Sequence, residues 1–379
     1  MMNKTDPIVK TMKPCPMQQA KQMVVLPKKP LVSIFGTSVV VQEISAMEKL
    51  TRKKYIGSSG TPVMDATNCS RVTKFIVLGF QQTGATNIAL FVVILFLYLS
   101  CITGNSVIIV IVLVDRQLQK PMYFFLSNFS VIEIGHTTAF MPKMLVNLLS
   151  SKSTICFSCC MVQFFFYFLF GVTKFFVLTI MSIDRYLAIC QPLRYAAIMT
   201  PRVCLQLAVL AWFGGFVSII FQFAMMQNLP FCGSNTINHF FCDVGAMLKI
   251  AGGDTRLNEN LFFLLCLFLV LSSLLLTVVS YVLILSTILH FPSSSGRQKA
   301  FSTCASHLTV VTILYGAVIF IYLRPTVTPS SLSVSKVVAV LNMMVSPTLN
   351  PFIYTIRNSE VKEALRKVLG WKRLTSLKD

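Results

Sequence analysis

Seven apolar runs, each about as long as a helix needs to cross a bilayer, set the terms for this chain. A spanning helix takes roughly 20 apolar residues. Hydrocarbon offers no water to backbone N–H and C=O groups, so each run must satisfy them internally as a helix. The runs lie at about 88–114, 122–147, 158–186, 203–226, 260–289, 300–323 and 335–356. Hydrophobic residues make up 55% of the chain and charged ones 12%, about half the usual globular share of charge. A soluble protein could not cover that much apolar surface. The pattern predicts an all-α membrane protein, a seven-transmembrane helix bundle. A short amphipathic eighth helix, from Ser359 to Arg373, is expected along the membrane surface.

The formal net charge of +20 would suit a nucleic-acid partner, but its placement does not. Basic residues gather at the ends of apolar runs and in the N-terminal segment. Arg116, Lys120, Arg185, Arg194, Arg202, Arg297, Lys299 and the cluster at 357–373 fall on one side. The positive-inside rule makes that side cytoplasmic and the N-terminus extracellular. Lys152, Lys249 and Arg256 lie on the other side, so the asymmetry is incomplete. Residues 1–63 mix Lys, Pro, Gln and Ser and read as a disordered basic extension. No apolar stretch follows the basic run at 49–54, which argues against a signal peptide. Met64 is the natural start. Residues 64–87 then form an extracellular N-terminus, 88–356 the bundle and 357–379 a cytoplasmic tail.

Polar side chains at membrane depth are costly, so each points to a task. Asp184-Arg185-Tyr186 closes the third run. Asn105 in the first run, Glu133 in the second and Asn350 in the seventh suggest an internal polar network, ahead of simple interhelical hydrogen bonding. Lys174 lies eleven residues before Arg185, about three turns deeper. An unpaired lysine at that depth would have to snorkel or lose its proton, and an ion pair survives burial there only with good geometry. Pro351 removes a backbone hydrogen bond and bends the seventh helix. Asn350 is expected to bind the freed carbonyls or a water, with Tyr354 one turn farther on. His307 fits a hydrogen-bonded core histidine and a switch element equally. Asn68-Cys-Ser70 is a glycosylation sequon on the outer side.

Twelve cysteines, mostly in apolar runs, read as buried small hydrophobes. Cys156-x-x-Cys159 has no second pair or nearby His to complete a zinc site. No metal, cofactor or catalytic constellation is expected, so an enzyme lacks support. The absence of repeats counts against a transporter.

The wording Met181-Ser-Ile-Asp-Arg-Tyr-Leu-Ala-Ile-Cys190 resembles the olfactory receptors, a rhodopsin-like family of G-protein-coupled receptors. So do Leu118–Leu126, Lys299–His307, Ser280-Tyr281, Tyr315-Gly316 and Pro347–Tyr354, and the likeness runs from about Asn68 to Asn358. Asn128–Ile134 and Ser295–Lys299 resemble the class II receptors, family 6 among them. The resemblance implies a volatile odorant as ligand, an olfactory stimulatory G protein with cAMP signalling, and no nucleic acid. It further implies a multi-pass plasma-membrane protein of olfactory cilia, with membrane lipid and trafficking chaperones as partners. The rival is a non-olfactory rhodopsin-like receptor for another small ligand. An amine receptor would want an acid near Tyr167, and a retinal-binding opsin a Lys at Met344; both are lacking.

The resemblance also assigns roles. Asp184 holds Arg185 at rest, and Tyr281 and Tyr354 swing toward Arg185 on activation. Tyr315 stands at the hinge position where most related receptors carry Trp. Cys160 and Cys242 match the receptor disulfide. Three positions depart from the family. Gln119 replaces a His, and Gly252 stands where the partner of Cys232 is expected, leaving a rewired pair with Cys156 or Cys159 open. Lys174 replaces a Glu that faces the second-span acid, here Glu133; two acids there would hold sodium, whereas Lys174 is expected to supply its own cation in an ion pair with Glu133, ahead of a snorkelling lysine or a damaged receptor. Four to five turns outward of Arg185, Tyr167, Phe168, Gly171 and Val172 should face the bundle centre. Cys266, Leu269, Val318, Ile319, Tyr322 and Met343 are expected to complete a lining suited to a small apolar ligand.

Overall fold

The computed structural model describes residues 72–79, 84–150, 153–231, 234–290, 294–322, 341–357 and 359–368. The extension at 1–63, the Asn68 sequon, Cys232 and residues 369–379 lie outside the described residues, as do the side chains of Lys299 and Tyr322. Seven helical spans are described. The first is Gly84–Val114, the second Pro121–Leu149, the third Phe157–Cys190 and the fourth Pro201–Gln227. The fifth is Arg256–Leu289 and the sixth Ser294–Tyr322. The seventh is described from a wide π turn, Leu341–Val345, that continues as α-helix over Ser346–Arg357. The expected start of that span at 335 lies outside the described residues.

Most spans outrun their apolar runs, because apolar residues mark hydrocarbon depth while the helix continues until a terminator meets it. Pro121 and Pro201 open their helices at the position where a missing N–H costs nothing. Thr200 caps the fourth span by accepting from Val203 N. By length and composition the first, third, fourth and fifth spans each suffice to cross a bilayer. Their outer faces carry large apolar side chains such as Leu113 and Phe268, 69% and 70% exposed. Such faces suit lipid contact.

Outside the spans lie elements that no apolar run announces. A three-stranded sheet is ordered β2-β1-β3, with β1 Lys74–Val77, β2 Thr154–Cys156 and β3 Thr236–Ile237. β1 runs antiparallel to β2, pairing Phe75 with Ile155, and parallel to β3, pairing Ile76 with Thr236. Phe75 and Val77 alternate inward, and the Phe75 ring packs edge-on against Phe231 at 5.4 Å. A disulfide joins Cys160 to Cys242, Cα atoms 5.6 Å apart. Cys156 and Cys159 are bonded to each other, which corrects the reading of either as a partner for Cys232. Where the family cysteine is missing, Gly252 N–H donates to Pro230 O at 2.6 Å. A backbone bond thus ties this loop.

At the opposite end, a helix over Pro192–Ile198 follows the third span, and a tail helix runs over Ser359–Val368. The tail helix buries Val361 and Ala364 in the core. Its Glu360 accepts from Lys120 Nζ at 2.8 Å and from Tyr123 Oη at 2.9 Å. We call the two ends of the bundle the sheet end and the tail end.

Two glycines set close approaches. A Cβ on Gly104 would stand 3.0 Å from Pro351 Cβ, so the first span closes on the seventh only because that side chain is absent. A Cβ on Gly215 would overlap Thr173 Oγ1, which is buried and bonded to Leu169 O. Gly215→Ala should therefore separate the third and fourth spans and destabilise the protein by about 1–3 kcal/mol. The purified protein's Tm should fall and recover in part when Thr173→Ala is added; an unchanged Tm would contradict the contact.

Candidate functional site

Glu133 and Lys174 meet inside the bundle. Lys174 Nζ lies 2.7 Å from Glu133 Oε2, with side-chain exposures of 4% and 2%. The other carboxylate oxygen, Oε1, accepts from Asn350 Nδ2 at 2.9 Å. On the far side of Lys174, His136 Nδ1 lies 3.0 Å from Nζ. Glu133 and His136 share one face of the second span because they are three residues apart, nearly one helical turn. The pair predicted between Glu133 and Lys174 is thus formed, and the snorkelling reading does not apply: Lys174 is held at depth. Its ammonium takes the place at Glu133 that a metal cation would need, so these residues do not fit sodium.

The first span joins through Asn105. Pro351 lacks an N–H, which frees the carbonyl of Pro347 one turn back. Asn105 Nδ2 donates to that carbonyl at 3.2 Å and to Cys101 O at 2.9 Å. The freed carbonyl thus goes to Asn105 and not, as expected, to Asn350, whose Nδ2 serves Glu133. The reason is steric: Gly104 lets the first span close on the seventh, so Asn105 reaches the freed carbonyl while Asn350 faces the second span.

The tail end holds a second cluster. Asp184 is fully buried and binds the Arg185 guanidinium through Oδ2, with Nε at 3.0 Å. Its other oxygen accepts from Tyr195 Oη at 2.7 Å. Tyr195 comes from the short helix after the third span. Burial, and then the Asp184 charge beside it, push its phenol above the ordinary value, so it stays a proton donor. Tyr186 is buried and receives a bond from Gln191 Nε2 at 3.4 Å.

Tyr281 and Tyr354, expected to approach Arg185 on activation, differ in how their hydroxyls are held. Tyr281 Oη lies 2.7 Å from His307 Nδ1, and the rings stack at 5.8 Å. His307 therefore bonds across two spans, which its sequence left undecided. Tyr354 is buried, and its hydroxyl has no partner among the described residues. Tyr315 packs edge-on against Phe175 at 5.3 Å. Tyr281 and Tyr315 also line a crevice of about 380 Å³ between the fifth and sixth spans. That crevice opens past exposed Val278 and Val282 onto the outside of the bundle.

None of the expected ligand-lining residues borders that crevice. Tyr167, Phe168 and Met343 belong to the sheet-end core, and Leu269 and Val318 are buried. Gly171, Val172 and Cys266 are half-buried. Ile319 departs from expectation: it is 38% exposed, because one residue beyond Val318 turns the side chain by about 100° around the helix. Tyr167 stacks on His136 at 4.7 Å and packs against Phe241 at 4.5 Å. Phe241 adjoins Cys242, so the disulfide sets this aromatic wall. Gln163 fixes it further, accepting from Cys242 N at 3.0 Å and donating to Ala139 O at 3.2 Å. His136, Gln163 and Tyr195 were not singled out from sequence. For His136 the signal existed, since a ring one turn from a membrane-depth acid is rarely idle.

Known proteins place this arrangement. Residues 94–372 match the family model described as olfactory receptor. Human olfactory receptor 6X1 is 51% identical over 302 residues, covering 80% of this chain and 96% of that protein. Human olfactory receptor 6T1 is 46% identical over 314 residues, covering 83% of this chain and 97% of that protein. Mouse olfactory receptor 6E1 is 47% identical over 300 residues, covering 79% and 96%. The crystal structure of squid rhodopsin shares the fold, with a TM-score of 0.61 at 17% identity over 77% of this chain and 83% of that one.

Lys174→Glu would place two acids together and remove the resident cation. Sodium should then stabilise the purified variant over choline by about 1.4 kcal/mol, for a site whose Kd is a tenth of the salt concentration. The Tm of the unmutated protein should be equal in the two salts. A sodium response equal in both proteins would contradict the tethered-cation reading.

Proposed function

The chain belongs to the olfactory receptor family of multi-pass, G-protein-coupled membrane receptors, and on that premise we propose that it binds a small volatile ligand near the sheet end and activates the olfactory stimulatory G protein, raising cAMP. The sheet end then faces outside the plasma membrane of olfactory cilia, with Asn68 glycosylated, and the tail end faces the cytoplasm. Membrane lipid surrounds the spans, and chaperones assist delivery to the surface.

The observation that carries this reading is the closed cluster at the tail end. Asp184 is fully buried and engages Arg185 and Tyr195 at once. A carboxylate with both oxygens occupied keeps the guanidinium from reaching anything else. Release has two waiting partners. Tyr281 is held by His307 on the sixth span, so movement of that span frees its hydroxyl. Tyr354 carries a buried hydroxyl without a partner among the described residues, a cost of about 1–3 kcal/mol that a new bond to Arg185 would relieve. Ligand contact with the aromatic wall at Tyr167 and Phe168 would bias the third span toward that second arrangement.

A cAMP reporter in cells with surface-normalised expression tests this. Arg185→Ala should abolish basal and odorant-evoked cAMP. Tyr195→Phe, which removes one bond from Asp184, should raise basal cAMP up to about tenfold. Signalling that persists without Arg185 would contradict the proposal.

A further inference from the structure

His136 is 6% exposed on the second span, and only one of its nitrogens is engaged by a hydrogen bond among the described residues. Lys174 Nζ lies 3.0 Å from Nδ1. An ammonium group donates and never accepts, so Nδ1 accepts and the neutral ring carries its proton on Nε2. The tautomer follows from the contacts: Lys174 meets Glu133 at one carboxylate oxygen and donates to the imidazole.

His136 Nε2 lies near Gly171 of the third span. If Gly171 bore a side chain, its Cβ would find only His136 Nε2 within 4 Å, at 3.9 Å. A carbon there would sit in van der Waals contact with the ring nitrogen, so the missing side chain leaves room beside this donor. The space has aromatic sides. Tyr167 stacks on the imidazole with ring planes 29° apart, Phe140 meets its edge at 6.0 Å, and Phe168 packs against Tyr167 at 5.0 Å. A single N–H on an otherwise apolar wall fixes the orientation of a ligand that brings one acceptor.

We infer that His136 is the polar anchor of the ligand site and that the ligand is a neutral volatile with a carbonyl oxygen, an aldehyde, ketone or ester. Its oxygen accepts from Nε2–H at about 2.7–3.2 Å, and its hydrocarbon body lies over Gly171 against Tyr167 and Phe168. An alkylammonium ligand is refused on two counts: it offers donors to a donor, and Lys174 repels its charge. An alkane leaves the donor unpaired. This inference rests on the odorant-receptor reading and adds the chemical class of the ligand.

The test is the cAMP reporter with chain-matched probes: octanal, 2-octanone and hexyl acetate against octane and octylamine. The carbonyl compounds should activate, and octane and octylamine should not. His136→Asn keeps an acceptor for Lys174 but loses the outward donor, so the EC50 for octanal should rise about tenfold. His136→Gln carries an amide N–H to nearly the same place and should restore most of the potency, which separates donor loss from misfolding. Surface staining of a tagged chain normalises each variant. Equal activation by octane and octanal, or an unchanged EC50 in His136→Asn, would overturn the inference. So would a silent panel alongside basal cAMP that still depends on Arg185. Basal cAMP that ignores Arg185 would instead sink the receptor reading, and this inference with it.

Discussion

A lysine and a glutamate facing each other at membrane depth cannot be left as isolated charges. Removing each from water costs several kcal/mol, and their attraction offsets this only when geometry and further hydrogen bonds are both supplied. Here both are. The 2.7 Å contact between Lys174 and Glu133 is flanked by Asn350 on the carboxylate and His136 at the ammonium. Three spans are thereby fixed at one depth, and the first is added where Asn105 takes the carbonyl freed by Pro351. The donor set around Glu133, the reach of Asn105 to the freed carbonyl and the imidazole tautomer all answer to buried polar groups.

That joint lies between the two ends where a receptor must act. Toward the sheet end, His136 stacks on Tyr167, in the aromatic wall set by the Cys160–Cys242 disulfide. Toward the tail end, Asn350 precedes Pro351 and the buried Tyr354, in the same core as Met181 of the third span. Packed contacts and hydrogen bonds alone do not make a signalling route. They do leave the proposed switch two groups to act on, the Tyr281 hydroxyl held at His307 and the Tyr354 hydroxyl without a partner among the described residues.

Much of this could be read from residues alone, for a physical reason. Hydrocarbon leaves one solution for a long apolar run, so the spans announce themselves, and a charge within one demands a partner, which the family likeness then identified for Lys174 as Glu133. Family wording supplied the Cys160–Cys242 pairing and the roles at Asp184 and Arg185. What stayed hidden depends on how spans approach one another. Asn105 rather than Asn350 takes the freed carbonyl because Gly104 admits Pro351. Ile319 faces outward where Val318 does not, a matter of helix rotation that an evenly apolar sequence cannot convey. β1, β2 and β3 are two to four residues long and pair across distant loops, so no local periodicity marks them. Tyr195 reaches Asp184 only because a short helix follows the third span.

The central claim is that Glu133 and Lys174 stabilise the bundle as a pair and not as two separate polar residues. A double-mutant cycle on the purified receptor measures this directly, with Tm or denaturant midpoint read for Glu133→Leu, Lys174→Met and the two combined. Each single change strands a buried partner and should cost about 3–5 kcal/mol. The double change should recover most of that loss, because no uncompensated charge remains. Losses that simply add would contradict the pair as the joint of the structure.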